Sequence, residues 1–235
     1  AFYAPIVTSA AEVFDGTAVR LSELDPANNK RYSGGDIGFG RLFADMYKDI
    51  ARYVPERKKW YIFDGKRWVA DIGGLQAMEL AKELSDALVV YTASIREETR
   101  RAVFLEFCKK WIQRRFRETY LKEAQSVYPV SMERFDVDRY LLNCNNGTLD
   151  LRTMEFREHR PEDFLTKMTS VYYVPSATST RFNKFIEEIT SGDNEKALFL
   201  QKSLGYGISG DTRYECLFFL YGKLTRNGKG TLMES

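Results

Sequence analysis

The 235 residues hold 44% apolar, 29% charged and 14% aromatic side chains, with a formal charge of +2 at neutral pH. That composition excludes a disordered chain and suits one or two folded domains, while the small net charge excludes nucleic-acid binding by the chain as a whole. No run approaches the ~18 apolar residues of a membrane span, and Ala1-Phe2-Tyr3-Ala4-Pro5 lacks the basic and apolar regions of a secretory signal.

The start lacks Met and reads as internal, so the chain is expected to be a piece trimmed at both ends. Cys108, Cys144 and Cys216 lie far apart, no C-x-x-C pair occurs, and His159 is the only histidine. This argues against structural zinc and for three small core residues in a reducing, intracellular setting.

Residues 1–35 show no sustained period. Pro26-Ala27-Asn28-Asn29 and Ser33-Gly34-Gly35 are loop chemistry, and the stretch reads as a linker or tail. From Asp36 the pattern is helical, with Leu42, Phe43, Met46, Tyr47 and Ile50 on one face. Lys59-Trp60-Tyr61-Ile62-Phe63 and Arg67-Trp68-Val69 flank Asp64-Gly65, a hairpin signature. Gly73-Gly74 opens a long helix whose predicted apolar face is Leu75, Met78, Leu84, Leu88 and Tyr91.

A second helix is predicted from about residue 97 to 122, with Val103, Leu105, Phe107, Trp111, Ile112 and Phe116 inward; Pro129 ends the helical region. Residues 140–144 and 148–151 flank Asn146-Gly147 as a second hairpin, and Arg152-Thr153-Met154-Glu155 turns into Phe156-Arg157-Glu158. Beyond Pro175, one helix carries Phe182, Phe185, Ile186 and Ile189. The next carries Leu198, Leu200, Leu204 and Tyr206, and is broken by Gly205, Gly207 and Gly210.

The predicted fold class is α+β: a helical centre with β-hairpins over residues 36–175, then a helical unit over 176–212. Residues 213–235 are expected to begin a P-loop ATPase domain. There Leu217-Phe218-Phe219-Leu220 reads as a buried strand running into a glycine-rich loop that ends in Gly228-Lys229-Gly230-Thr231. Such loops hold phosphates with backbone N–H groups and a Lys, and Mg²⁺ with a Ser or Thr hydroxyl.

The nucleotide-binding candidates are Gly222, Asn227, Gly228, Lys229, Gly230 and Thr231, with Lys229 as catalytic residue and Thr231 as the Mg²⁺ hydroxyl. The loop departs from the common spacing. Five residues separate Gly222 from Gly228, and Gly230 follows Lys229. A surface glycine turn with a solvated Lys is the alternative. The helix behind the loop would have only about one turn, which is not stable alone. These 235 residues by themselves are therefore expected not to hydrolyse ATP.

Charge is uneven. From Arg96 to Glu123 nine Lys/Arg stand against five Glu, a local +4 that leaves about −2 elsewhere. Within it, Lys109, Lys110, Trp111, Arg114, Arg115 and Arg117 are candidates for binding single-stranded nucleic acid. Lys110, Arg114 and Arg117 would share a helix face with Trp111 beside it for stacking. The alternative is a solvated face with Trp111 and Phe116 in the core.

Four stretches (36–71, 124–130, 140–162 and 200–231) together resemble the phage and plasmid primase–helicases, superfamily 3 helicases related to the poxvirus primase-helicase. The ordered signature is NGTLDLRT, HRPED, LGY and NGKGT. The resemblance implies a module that precedes a hexameric, AAA+-like ATPase. That ATPase unwinds DNA at a replication fork with ATP and Mg²⁺, in the cytoplasm of a bacterial host. A primase often lies further upstream. Gly228, Lys229 and Thr231, with Asn227 before them, match the family's phosphate loop. The implied partner is single-stranded or forked DNA, with a hexamer for the whole protein and a monomer for this piece. The competing function is a catalytically silent module that binds DNA or replication partners.

Overall fold

The computed structural model describes residues 10–222 and 228–234. The fold is α+β, with two separate three-stranded antiparallel sheets among helices. The chain divides into two compact units, residues 1–137 with 159–167, and residues 138–158 with 168–235.

The first unit is built on five helices, α1 (Ala10–Leu24), α2 (Asp36–Tyr47), α3 (Leu75–Tyr91), α4 (Glu98–Ile112) and α5 (Arg114–Ala124). Between α2 and α3 run β1 (Ala51–Val54), β2 (Lys59–Phe63) and β3 (Trp68–Ala70). Phe39, Leu42 and Phe43 of α2 are buried, with Ala81, Leu84 and Leu88 of α3 and Cys108, Trp111 and Tyr120 of α4 and α5. Aromatic rings dominate this core. Phe39 stacks on Tyr120 at 4.3 Å and meets the edge of Trp111 at 5.8 Å, the arrangement that ring quadrupoles favour. Helices α2 and α5 approach so closely that a Cβ on Gly40 would lie 2.5 Å from the Cβ of Glu123.

The Asp64-Gly65 hairpin forms as expected, with Phe63 opposite Trp68 and the Asp64 carboxylate accepting from the N–H groups of Lys66 and Arg67. Helix α3 does start behind Gly73-Gly74, both at positive φ. Its first turn is capped from a distance, because buried Asp71 accepts from the N–H groups of Gln76 and Ala77.

Several expectations are corrected. The single helix over 97–122 is two helices, broken where Gln113 takes an extended conformation (ψ 126°). Val103, Leu105 and Ile112, assigned to its apolar face, are exposed, as is Leu75 on α3. The stretch before Asp36, read as linker, contains α1 and a 3-10 turn (Lys30–Tyr32), and it contributes Leu21 and Tyr32 to the core.

The second unit holds β4 (Leu141–Cys144), β5 (Gly147–Asp150) and β6 (Glu155–Arg157), then α6 (Thr180–Thr190), α7 (Asn194–Ile208) and α8 (Lys229–Glu234). The predicted hairpin is present with its turn one residue earlier, at Asn145-Asn146, since Cys144 pairs with Gly147. A Cβ at Gly147 would lie 2.5 Å from the Arg157 carbonyl oxygen, so glycine serves the sheet rather than the turn. Gly205 and Gly207 do not break α7. It runs through both to Ile208, the cost of about 1 kcal/mol each being tolerable within a helix.

Candidate functional site

The nucleotide-loop candidates lie in the second unit. Leu217–Leu220, expected as a buried strand, has no strand partner among the described residues, and Leu217 and Phe219 are 75% and 84% exposed. An isolated strand leaves its N–H and C=O groups to solvent, so the apolar run alone does not create one. Gly222 lies in irregular chain, and Asn227 falls outside the described residues.

Gly228 has φ +80°, and Lys229 is the first residue of α8. The Leu232 N–H donates to the Gly228 carbonyl (2.9 Å), and Leu232 is buried. A Cβ at Gly228 would come within 2.7 Å of Ile189 Cγ2 and 3.0 Å of the Phe185 ring, so the turn is seated on α6. Gly230 has open space where a Cβ would stand, and Thr231 is exposed.

The segment leading to this loop is fastened to the start of β4. The Gly210 N–H donates to the Arg139 carbonyl (2.9 Å), and Arg139 Nη1 donates to Thr212 Oγ1 (3.2 Å). Tyr140 Oη donates to Asp211 (2.9 Å), while Arg213 donates to both Asp211 (Nε, 2.6 Å) and Tyr140 Oη (Nη2, 3.0 Å). The Arg213 guanidinium and backbone N–H hold the Asp211 carboxyl down at about 2. On the other side of Tyr140, the Arg152 guanidinium sits 5.4 Å from the ring centre and bonds Asp138 (2.7 Å) and Asp150 (2.9 Å). A continuous ladder of charged and aromatic groups thus joins Asp150 to Arg213.

The nucleic-acid candidates of α4 and α5 are placed differently from the sequence reading. Trp111 is wholly buried, its ring 4.8 Å from Tyr120, so it offers no stacking face. The bend at Gln113 separates Lys110 from Arg114 and Arg117. Lys109 pairs with Glu106, and Arg114 with Glu118 (2.8 Å). Arg117 donates to the carbonyls of Trp111 (2.7 Å) and Ile112 (2.5 Å), capping the end of α4. Arg115 lies over the Phe116 ring at 4.6 Å. Lys110 is exposed.

Pattern reading missed the most concentrated polar site. Asp45, buried on α2, accepts from Arg31 (Nε 2.5 Å, Nη2 3.0 Å), Tyr32 Oη (3.0 Å) and Tyr128 Oη (2.7 Å). Burial pushes its pKa up, but the hydrogen bonds from Arg31, Tyr128 and Tyr32 more than offset that and leave it below the usual carboxylate value. Its carboxylate is fully engaged, so it is a staple rather than a base. The contributing residues come from three separated segments, and no local spacing announces them. Among the described residues no cluster of three or more metal-ligating side chains occurs, and no helix is long and apolar enough to cross a membrane.

Helices with two small antiparallel sheets, and a glycine-lysine turn that opens a helix in the second unit, define an α+β class of protein. Residues 40–191 match the family described as D5 N terminal like, and the chain belongs to that family, which places it with the primase–helicases. It is also similar to a protein of Acanthamoeba polyphaga mimivirus whose name provisionally assigns it as a helicase. The two are 23% identical over 215 residues, covering 83% of this chain and 22% of that protein. The chain therefore spans about a fifth of the relative's length. The family match runs from α2 to the end of α6 and stops short of the Gly228 loop.

Proposed function

We propose that this chain is the module that precedes the motor in an ATP-driven replicative DNA helicase of a phage or mobile element, and that Gly228–Thr231 belongs to the motor's phosphate loop. The observation that carries the reading is the junction itself. Gly228 is at positive φ, tight against Phe185 and Ile189, and the next residue, Lys229, opens a helix. Phosphate loops need this order: a glycine that lets the backbone turn closely, then a lysine and N–H groups at a helix start. Gly228 and Gly230 would present backbone N–H groups to the phosphates, Lys229 would balance their charge, and Thr231 would hold Mg²⁺. ATP bound there would supply the free energy for strand separation, with single-stranded or forked DNA as partner.

The test uses the intact gene product. DNA-stimulated ATP hydrolysis and unwinding should be lost in Lys229→Ala, while residues 1–235 alone should show no steady hydrolysis. Hydrolysis indifferent to Lys229→Ala would overturn the assignment. The second reading, a catalytically silent module, is favoured by Leu217–Leu220 pairing with no strand among the described residues. It would be supported if the intact product binds DNA but never hydrolyses ATP.

A further inference from the structure

The exposed cations that lack an ion pair among the described residues are as informative as those that have one. Three of them are consecutive. Arg57, Lys58 and Lys59 occupy the turn joining β1 to β2 and the first position of β2, and all three are exposed. None makes a side-chain hydrogen bond or ion pair with a described residue, in contrast to Lys109, Arg114 and Arg117. The nearest acid in sequence, Glu56, is turned to other groups. Its own backbone N–H and then Ser131 hold its carboxyl below the usual value, with the Met132 N–H contributing.

The turn is rigid. Val54, wholly buried, pairs with Lys59; Tyr53 pairs with Trp60; and the Lys58 N–H donates to the Pro55 carbonyl (3.1 Å). Lys58 sits in the left-handed region (φ 51°, ψ 40°), which glycine or asparagine would occupy at less cost. A lysine held there, between two further cations, gives three adjacent positive charges that make no ion pair with a described residue. Strained positions of this kind tend to mark functional surfaces.

We propose that the β1–β2 turn is a contact for the phosphodiester backbone of nucleic acid, with Arg57, Lys58 and Lys59 each taking a phosphate. This rests on the DNA-binding reading above and moves its contact from α4–α5 to the hairpin. Three cations on one turn suit a chain of regularly spaced monoanions, and binding should be salt-dependent and tolerant of sequence because no base-reading group accompanies them.

The experiment is a fluorescence anisotropy titration of a labelled mixed-sequence single strand, and of its duplex, across a salt series. It compares the unmodified chain with R57Q/K58N/K59Q, in which Asn keeps the left-handed turn accessible. The variant should melt like the parent, bind at least tenfold more weakly at low salt, and lose about 2 from the slope of log affinity against log salt on single strands, roughly 0.7 per phosphate. Loss on both strand types, or on the single strand alone, supports the assignment. An unchanged slope with intact binding overturns it and leaves the DNA-binding reading standing, and R114E/R115E then tests the helix instead. No binding by the unmodified chain overturns the assignment, and DNA binding by the intact gene product then tests the wider reading.

Discussion

Helices α2 and α7 are similar in length and both rich in apolar residues, yet they end in opposite environments. Nine of the twelve residues of α2 are buried; α7, with fifteen, has none. Phe43 on α2 is wholly enclosed, 5.0 Å from Tyr47 and 5.7 Å from Trp60, whereas Phe199 on α7 is 65% exposed. Amphipathic sequence therefore specifies a helix in both places, but only in the first unit does it specify what the helix packs against. A helix's stability comes mainly from the burial of its apolar face. The first unit should thus hold its shape through its core, and the second through local polar ties such as Tyr140–Asp211–Arg213.

The largest effect that tests this contrast is truncation of the same side chain in each helix. Phe43→Ala should cost about 3–5 kcal/mol by urea unfolding, from lost transfer energy and a cavity. Phe199→Ala should stay within about 0.5 kcal/mol, as exposed substitutions do. A comparable cost at both would mean that α7 is buried in solution and that the contrast is false.

The next effect belongs to Asp45. Asp45→Ala strands Arg31, Tyr32 and Tyr128 and should cost about 2 kcal/mol, within the range for hydrogen bonds to a charged group. Because the folded carboxyl is held below its ordinary value, its contribution is fully present above the unfolded pKa near 3.9. It should fade as pH falls through the folded value. Unfolding measured from pH 6 downward should show the variant's deficit shrinking in acid; a deficit independent of pH would mean that the loss is packing rather than charge.

In the second unit the matching tie is Asp211, whose carboxyl Arg213 holds down at about 2. Asp211→Asn should raise amide hydrogen exchange at residues 210–213 and leave α2 unchanged. The effect of acid on the parent should come only between the unfolded value near 3.9 and about 2, since a depressed pKa loses its stabilisation as pH falls through it. Equal exchange in variant and parent would show that the Gly210–Arg139 backbone bond suffices.

What could be read from the sequence followed from local rules. The Asp64-Gly65 hairpin, α2 and the β4–β5 pair rest on turn chemistry and periodicity, both of which act within a few residues. The break at Gln113 was invisible, because no Pro or Gly marks it and both flanking helices continue the apolar pattern. Strand β1 is four residues without alternation and exists by pairing with β2, a tertiary cause. Leu217–Leu220 fails in the other direction: four apolar residues suggest a strand, but a strand needs a neighbour. The Asp45 staple joins residues up to 97 positions apart, beyond any local pattern. The contiguous Arg57, Lys58 and Lys59 were in plain view, but only the structure sets them apart from Lys109, Arg114 and Arg117, which have partners on α4 and α5.

The smallest expected effect sharpens that last distinction. Arg114 pairs with Glu118 one turn along α5, but its side chain is 81% exposed, so solvent screens the pair and two long side chains must be ordered to make it. Arg114→Ala should therefore change stability by less than about 0.5 kcal/mol, less still in high salt. Its effect on single-strand affinity should also be slight, because Glu118 already compensates the charge and no stacking ring accompanies it. A loss of DNA affinity in Arg114→Ala equal to that in the hairpin variant would mean that pairing with Glu118 does not remove a cation from the binding surface. The rule used to separate the two basic regions would then fail.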